Sequence, residues 1–214
     1  MRANALTADR RQTLALEALE SNAVIARGLK KQDAQLLDLL IEQYQHRLLR
    51  YLLFLTGKRE LAEDLFQETW MRVLTRGTQY DGRARFDTWL FTIARNLVID
   101  NSRKRRLASL DEMAENNEDG QPFEIASDEP SPLDMVRTGE QSAHLAAVLL
   151  KLDAAYREVL TLRFHEELSL EEIATVTRAP LSTVKSRLYR GLAALRPHLE
   201  SLQCATRTEK EATA

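Results

Sequence analysis

Apolar residues recur at intervals of three and four along most of this chain, the spacing that lines one face of a helix. The broadest such face is Leu36, Leu37, Leu40, Ile41, Tyr44, Leu48, Tyr51, Leu52 and Leu55. Asp33 stands where an N-cap belongs and Gly57 where a helix stops. A face this wide packs against more than one neighbour. Before it, SNAVIARGLKK predicts a short helix with Ser21 as its cap. After it, RELAEDLFQETWMRVLTRG predicts a helix ending at Gly77, with Leu61, Leu65, Phe66, Thr69, Val73 and Leu74 inward. The Asp81-Gly82 pair then signals a turn. FDTWLFTIARNLVIDNSRKRR follows, with Leu90, Ile93, Ala94 and Leu97 inward and Asp87 as a candidate cap. Phe86 and Trp89 bracket that cap as a hydrophobic staple would, and core burial is the expected use of both rings.

The second half repeats the period. TGEQSAHLAAVLLKLD and AAYREVLTLRFHEE each carry an amphipathic pattern. In SLEEIATVT, Ser169 and Glu172 have capping-box spacing. RAPL predicts a tight turn, with Pro180 stopping the preceding helix. LSTVKSRLYRGLAALRPHL then shows a stripe of Val184, Leu188, Leu192, Leu195 and Leu199, with Ser182 as its cap. A short capped helix, a turn and a second amphipathic helix make a helix-turn-helix. The second helix of that motif enters the DNA major groove by its N-terminal end. Its outward side carries Thr183, Ser186 and Arg190, flanked by Lys185, Arg187 and Tyr189, with no acid. Such side chains read base edges or hold phosphates. No run of alternating β-branched residues appears, so the pattern predicts an all-α fold.

Charge changes this picture more than composition does. The formal charge of −2 hides an uneven spread. Arg72, Arg76, Arg83, Arg85, Arg95, Arg103, Lys104, Arg105 and Arg106 face only Asp81, Asp87 and Asp100 in the same segment. Four consecutive basic residues at the end of a helix exceed what the helix dipole needs and point to phosphate. The following stretch reverses sign, and acid and proline at that density do not bury enough apolar surface to offset chain entropy. Residues 107–137 are therefore expected to be an acidic flexible linker, either a plain spacer or a mimic of nucleic acid. The expected organisation is two small helical domains, 20–106 and 138–199, the second containing the helix-turn-helix, with an extension at 1–19 and a disordered tail at 200–214. On the Arg59–Arg76 segment, Glu60, Glu63, Asp64, Gln67, Glu68 and Arg72 form one ridge. It reads as a solvated face or as a dock for a basic helix.

Other chemistry is excluded. Cys204 is the only cysteine, which rules out a disulfide framework and cysteine-based zinc sites. The four histidines lie far apart, so no metal and no cofactor is expected. Paired carboxylates, a nucleophile–base motif and a phosphate loop are missing, which argues against an enzyme. The N-terminus lacks a signal-peptide core and no segment has the roughly 20 apolar residues of a membrane span, so a cytoplasmic protein without membrane insertion is expected.

AEDLFQETWMRVL, FDTWLFTIARNLVIDNSRKRR, YREVLTLRFHEELSLEEIA and STVKSRLYRGLAAL together resemble the extracytoplasmic-function (ECF) group of bacterial RNA polymerase sigma factors, over about residues 20–199. The resemblance implies core RNA polymerase (β′ clamp helices and β subunit) and promoter DNA as partners, with an anti-sigma factor as a further candidate. It implies a polymerase-binding role for Glu63, Asp64, Gln67, Glu68 and Arg72. It implies −10 recognition and melting by Tyr80, Arg83, Arg85, Phe86, Asn96, Arg103, Lys104, Arg105 and Arg106. It implies −35 recognition by Ser182, Thr183, Lys185, Ser186, Arg187, Tyr189 and Arg190. The linker resembles the segment that threads the RNA exit path. One departure is PLSTV, where the family's pattern is P-x-G-T-V. The competing reading, a conventional helix-turn-helix regulator, accounts for 138–199 but not for the acidic ridge or the first basic element.

Overall fold

The computed structural model describes residues 21–115 and 148–212, with side chains through 105 and from 148 to 197. The expectations for 1–19, for the linker beyond 115 and for 138–147 lie outside the described residues. Every regular element described is helical: α1 Asn22–Lys30, α2 Ala34–Thr56, α3 Arg59–Arg76, α4 Phe86–Glu115, α5 Ala154–Phe164, α6 Leu170–Thr177 and α7 Leu181–Ala212. A 3-10 turn, Gly77–Gln79, follows α3, and 148–151 is the end of a further helix before α5.

Local chemistry sets most of these boundaries. The Asp33 carboxylate accepts the Gln35 and Leu36 amides, capping α2, a bond of the kind that stabilises by about 1 kcal/mol. Gly57 closes the same helix in the left-handed conformation, φ 65°. Ser169 and Glu172 form the full reciprocal capping box on α6. Ser21 occupies the N-cap position of α1, but its side chain makes no cap bond.

Leu40, Leu48, Tyr51, Leu52, Leu90 and Phe91 are fully buried where α2, α3 and α4 pack together. Tyr80, Phe86, Tyr44 and Trp89 form an aromatic cluster under the loop, with centroids 5.1–5.9 Å apart. Gly82, φ 77°, brings this loop within 3.0 Å of the Asn22 carbonyl from where a Cβ would stand, a placement only glycine tolerates. Leu162, Leu168, Ile173 and Val184 fill the core of the α5–α7 unit.

Four sequence expectations change. The basic helix does not stop at Arg106 but runs on through Glu115 as part of α4; LASLDEMAE is rich in strong helix formers, which outweigh its acids. α7 continues past Pro197 to Ala212, where a disordered tail was expected. Leu74 and Leu192 are 43% and 38% exposed, not inward. Asp87 lies inside the first turn of α4 rather than at its cap, because the helix begins at Phe86.

Candidate nucleic-acid and polymerase interfaces

The acidic ridge is real and outward. Glu60, Asp64, Gln67 and Glu68 are exposed on α3, while Ala62, Leu65, Thr69, Trp70 and Val73 face the core. The ridge is less repulsive than its sequence suggests: Arg59 Nε meets Glu63 at 2.9 Å and Arg72 Nε meets Glu68 at 2.9 Å, both i, i+4 pairs. That leaves Glu60, Asp64 and Gln67 beside two neutralised positions. Sequence reasoning missed what comes next on the face. Met71 is 54% exposed and Leu74 is also turned outward. An acidic stretch therefore grades into an apolar step, the composition of a surface that steers with charge and anchors with side-chain area.

The second candidate surface starts at the Tyr80–Phe86 loop. Here the structure buries two residues that were expected at the surface. Tyr80 and Phe86 are 2% and 1% exposed, so neither ring reaches a base. The Tyr80 hydroxyl donates to the Ala84 carbonyl at 2.7 Å, and burial pushes the phenol well above its usual range. Both rings pack inside the loop and shape it. Arg83, 90% exposed and only 3.4 Å from Asp81, does point to solvent. Arg85 contacts Asp87 and lies 3.7 Å from Glu172. Further along α4, Asn96 is half-buried while Arg103, Lys104 and Arg105 are exposed. Arg106 is in the helix, with its side chain outside the described residues.

The third surface is the N-terminal half of α7. The Thr183 and Val184 amides donate to the Pro180 carbonyl at 2.9 and 3.1 Å. The helix thus opens at Leu181, and Ser182 sits exposed inside the first turn instead of capping it. Arg178 takes the left-handed conformation, φ 49°, so the turn from α6 is three residues long. Lys185, Ser186, Tyr189 and Arg190 are exposed, with Thr183 and Arg187 half-buried. Ser182, Thr183, Ser186, Arg187 and Arg190 line one wall of an open depression of about 410 Å³, and Asp153, Ala155 and Tyr156 line the other. The inward stripe is Val184, Leu188, Gly191 and Leu195. Gly191, absent from the sequence expectation, replaces Leu192. A Cβ there would lie 2.9 Å from Leu160 Cδ1 and 3.3 Å from Tyr156 Cβ, so α7 rests directly on α5.

The two units also meet, with carboxylates of α5, its C-terminal turn and α6 against arginines of α2, of α4 and of the residue just before α4. Arg47 Nε lies 2.7 Å from Glu166, Arg50 3.2 Å from the same carboxylate, and Arg95 Nε 2.7 Å from Glu158. The Tyr51 hydroxyl donates to Glu158 at 3.1 Å; burial, reinforced by that carboxylate, holds the Tyr51 phenol well above its usual range. No motif in the sequence announced these pairings.

Comparison with known proteins bears on all of these surfaces. The model for sigma-70 region 2 matches residues 40–108 and that for sigma-70 region 4 matches residues 143–195. The chain is 34% identical to the ECF RNA polymerase sigma factor SigW of Bacillus subtilis (strain 168), over 81% of this chain and 94% of that one. It is 30% identical to the RNA polymerase sigma-H factor of Pseudomonas aeruginosa, over 86% of this chain and 96% of that one. Two solved structures share the fold. CnrH in complex with the cytosolic domain of CnrY aligns with a TM-score of 0.59 at 22% identity, covering 85% of this chain and 98% of that one. The sigma factor RpoE in complex with the anti-sigma factor NepR from Bartonella quintana aligns at 0.57 and 24%, covering 75% and 96%. With region 2 falling on the ridge and the basic helix, and region 4 on the helix-turn-helix, this chain belongs to the ECF group of the sigma-70 family of RNA polymerase sigma factors.

Proposed function

We propose that this sigma factor docks on core RNA polymerase through α3, reads and opens the −10 element with the loop and basic face of α4, and reads the −35 element with α7. The observation that carries this reading is that the basic residues of α4, the outward side of α7 and the acidic ridge of α3 are exposed and separately placed, on helices fixed by buried apolar cores. Asp64, Gln67 and Glu68, with Met71 and Leu74 beside them, present acid plus apolar area to a basic partner helix. Arg83, Arg103, Lys104 and Arg105 supply phosphate contacts, which position DNA without specifying its sequence. Lys185, Ser186 and Arg190 project where a recognition helix meets base edges.

A conventional helix-turn-helix regulator would leave the ridge without a partner, and such proteins dimerise on symmetric half-sites. The related fold solved with an anti-sigma factor supports an anti-sigma protein as a further partner. Run-off transcription with purified core polymerase and genomic DNA tests the reading. Discrete new start sites that require this chain are expected. Specific binding to promoter DNA with no effect on core polymerase would overturn it.

A further inference from the structure

The first helix carries charge that none of the surfaces above uses, and it lies before residue 40, where the family match begins. α1 is wedged between two neighbours. One row of it, Asn22, Ala26 and Leu29, carries the turn and loop that follow α3. The Asn22 Oδ1 accepts the Phe86 amide at 3.3 Å, and a Cβ on Gly77 would stand 3.2 Å from Leu29. On the other side α1 meets the start of α2 so closely that a Cβ on Gly28 would collide with Leu36. There an open groove of about 240 Å³ is lined by Val24, Gly28 and Leu36 together with Arg27, Lys31 and Asp33.

Arg27, Lys30 and Lys31 are exposed. Most arginines of the first unit meet carboxylates, as Arg47, Arg50, Arg72 and Arg95 do. Among the described residues, no acid pairs with Arg27, Lys30 or Lys31. Arg27 Nε donates to the Ala23 carbonyl of its own helix at 3.3 Å. Asp33, the acid of the groove, already accepts the Gln35 and Leu36 amides as the cap of α2. Exposed Arg76, next in the chain to the Gly77 on which Leu29 packs, adds a further cation.

Placement gives this charge its partner. The loop carrying Arg83 lies on one side of α1 and the groove on the other. A helix is about 10 Å across, the rise of two to three nucleotides at about 3.4 Å per phosphate. Arg103, Lys104 and Arg105 lie roughly 26 Å along α4 from Phe86, at about 1.5 Å per residue. A strand held at that basic end and opened at the loop leaves the loop over α1. No residue of the second unit lines the groove, so it stands open in the same chain whose Arg47 and Arg95 are covered.

We propose that Arg27, Lys30 and Lys31 hold the backbone of the opened, single-stranded promoter DNA just downstream of the −10 element, where it leaves the Tyr80–Phe86 loop and crosses α1. The inference rests on the sigma-factor reading for the source of that strand, and the first arm of its test is independent of that reading.

In the first arm the full-length chain alone is titrated with oligothymidine of about 20 nucleotides across a salt series. Each phosphate contact on a single strand contributes about 0.7 to the salt slope. Arg27→Gln with Lys31→Gln should therefore lower the slope by about 1.4. From about 50 to 200 mM salt, wild-type affinity should fall about sevenfold further than that of the variant. Arg27→Lys with Lys31→Arg keeps the charge and should restore the slope, which separates charge from packing. Lys58→Gln with Lys151→Gln, cations outside the groove, should leave it unchanged. In the second arm, holoenzyme binds a forked promoter fragment at a start site mapped by run-off transcription. Its non-template strand ends at the −10 element or runs about six nucleotides further, within the reach of a single-strand groove. The extension should tighten wild-type binding about tenfold at low salt and the Gln variant far less. Absence of oligothymidine binding by the wild-type chain, equal slopes, or an equal drop in the Lys58 and Lys151 control overturns the proposal. An extension that tightens both proteins alike overturns it as well. Absence of any mapped start site, with the slope lowered as expected, counts against the sigma-factor reading and leaves the single-strand seat on α1 in place.

Discussion

Phe86 is the residue for which a contact role and a core role predict opposite outcomes. Its ring is 1% exposed and touches Tyr44, Tyr80 and Trp89 with centroid distances of 5.3, 5.7 and 5.9 Å. Truncating a buried phenylalanine to alanine costs about 3–5 kcal/mol, combining lost transfer energy with the cavity left behind. Three aromatic neighbours place Phe86→Ala in the upper half of that range, since each such pair adds about 0.5–1.5 kcal/mol beyond area. With a urea slope of about 1.5 kcal/mol/M for a domain of this size, the midpoint should fall by roughly 3 M. The chain makes the assay selective: its two tryptophans, Trp70 and Trp89, both lie in the first unit. Tryptophan fluorescence followed through a urea titration therefore reports that unit alone. Phe86→Leu should recover most of the midpoint. A shift below about 0.5 M for Phe86→Ala, with promoter opening lost, would refute the core assignment and return Phe86 to the DNA surface.

Asp64→Arg with Glu68→Arg should weaken binding to core polymerase at least tenfold while circular dichroism stays normal, since reversed charge on a docking face repels and Arg72 loses its partner; normal capture in a pull-down would remove the ridge from the docking surface. Arg190→Ala should cost about 1–3 kcal/mol of discrimination among −35 variants, whereas Arg196→Ala, two turns nearer the end of the described face, should leave preference intact; a library randomised at the −35 element reads both, and an unchanged preference for Arg190→Ala refutes its reading role. His165 is held below its usual range by burial first and by Arg50 second, and stacks 5.7 Å from Phe54. The unfolded chain therefore binds its proton more readily than the folded one, so its contribution is present above about pH 6.5 and lost as pH falls. His165→Gln should flatten the acid side of the stability–pH curve, and parallel curves for the two proteins would disprove the link.

How much the sequence discloses follows the range of the interactions. Asp33, Gly57 and the Ser169–Glu172 box act within four residues, and each does in the structure what its spacing predicts. Stripe phases are less secure. A helix of 3.6 residues per turn lets Leu192 and Gly191 compete for one row, and hydrophobicity alone selects the leucine, whereas close helix contact selects the residue without a side chain. Ser182 loses the cap for a similar reason: Pro180 starts the helix two residues sooner than the serine would. The acids of 107–115 mask good helix formers. The Arg47–Glu166 and Arg95–Glu158 pairs span 119 and 63 residues. No spacing encodes such contacts, because they depend on how two finished units meet.

The seat of α7 has a consequence for how the family diverges. Everything that fixes the helix, Val184, Leu188, Gly191 and Leu195, lies on one side, and the side chains that would meet DNA lie on the other with almost no structural duty. Exposed substitutions away from special features change stability by about half a kcal/mol or less. Lys185, Ser186, Tyr189 and Arg190 are thus free to drift without unfolding the chain, while the missing side chain at Gly191 keeps α7 seated at a constant distance from α5. A duplicated copy of this protein could acquire a new set of promoters through a few outward changes, with the frame that presents them inherited intact.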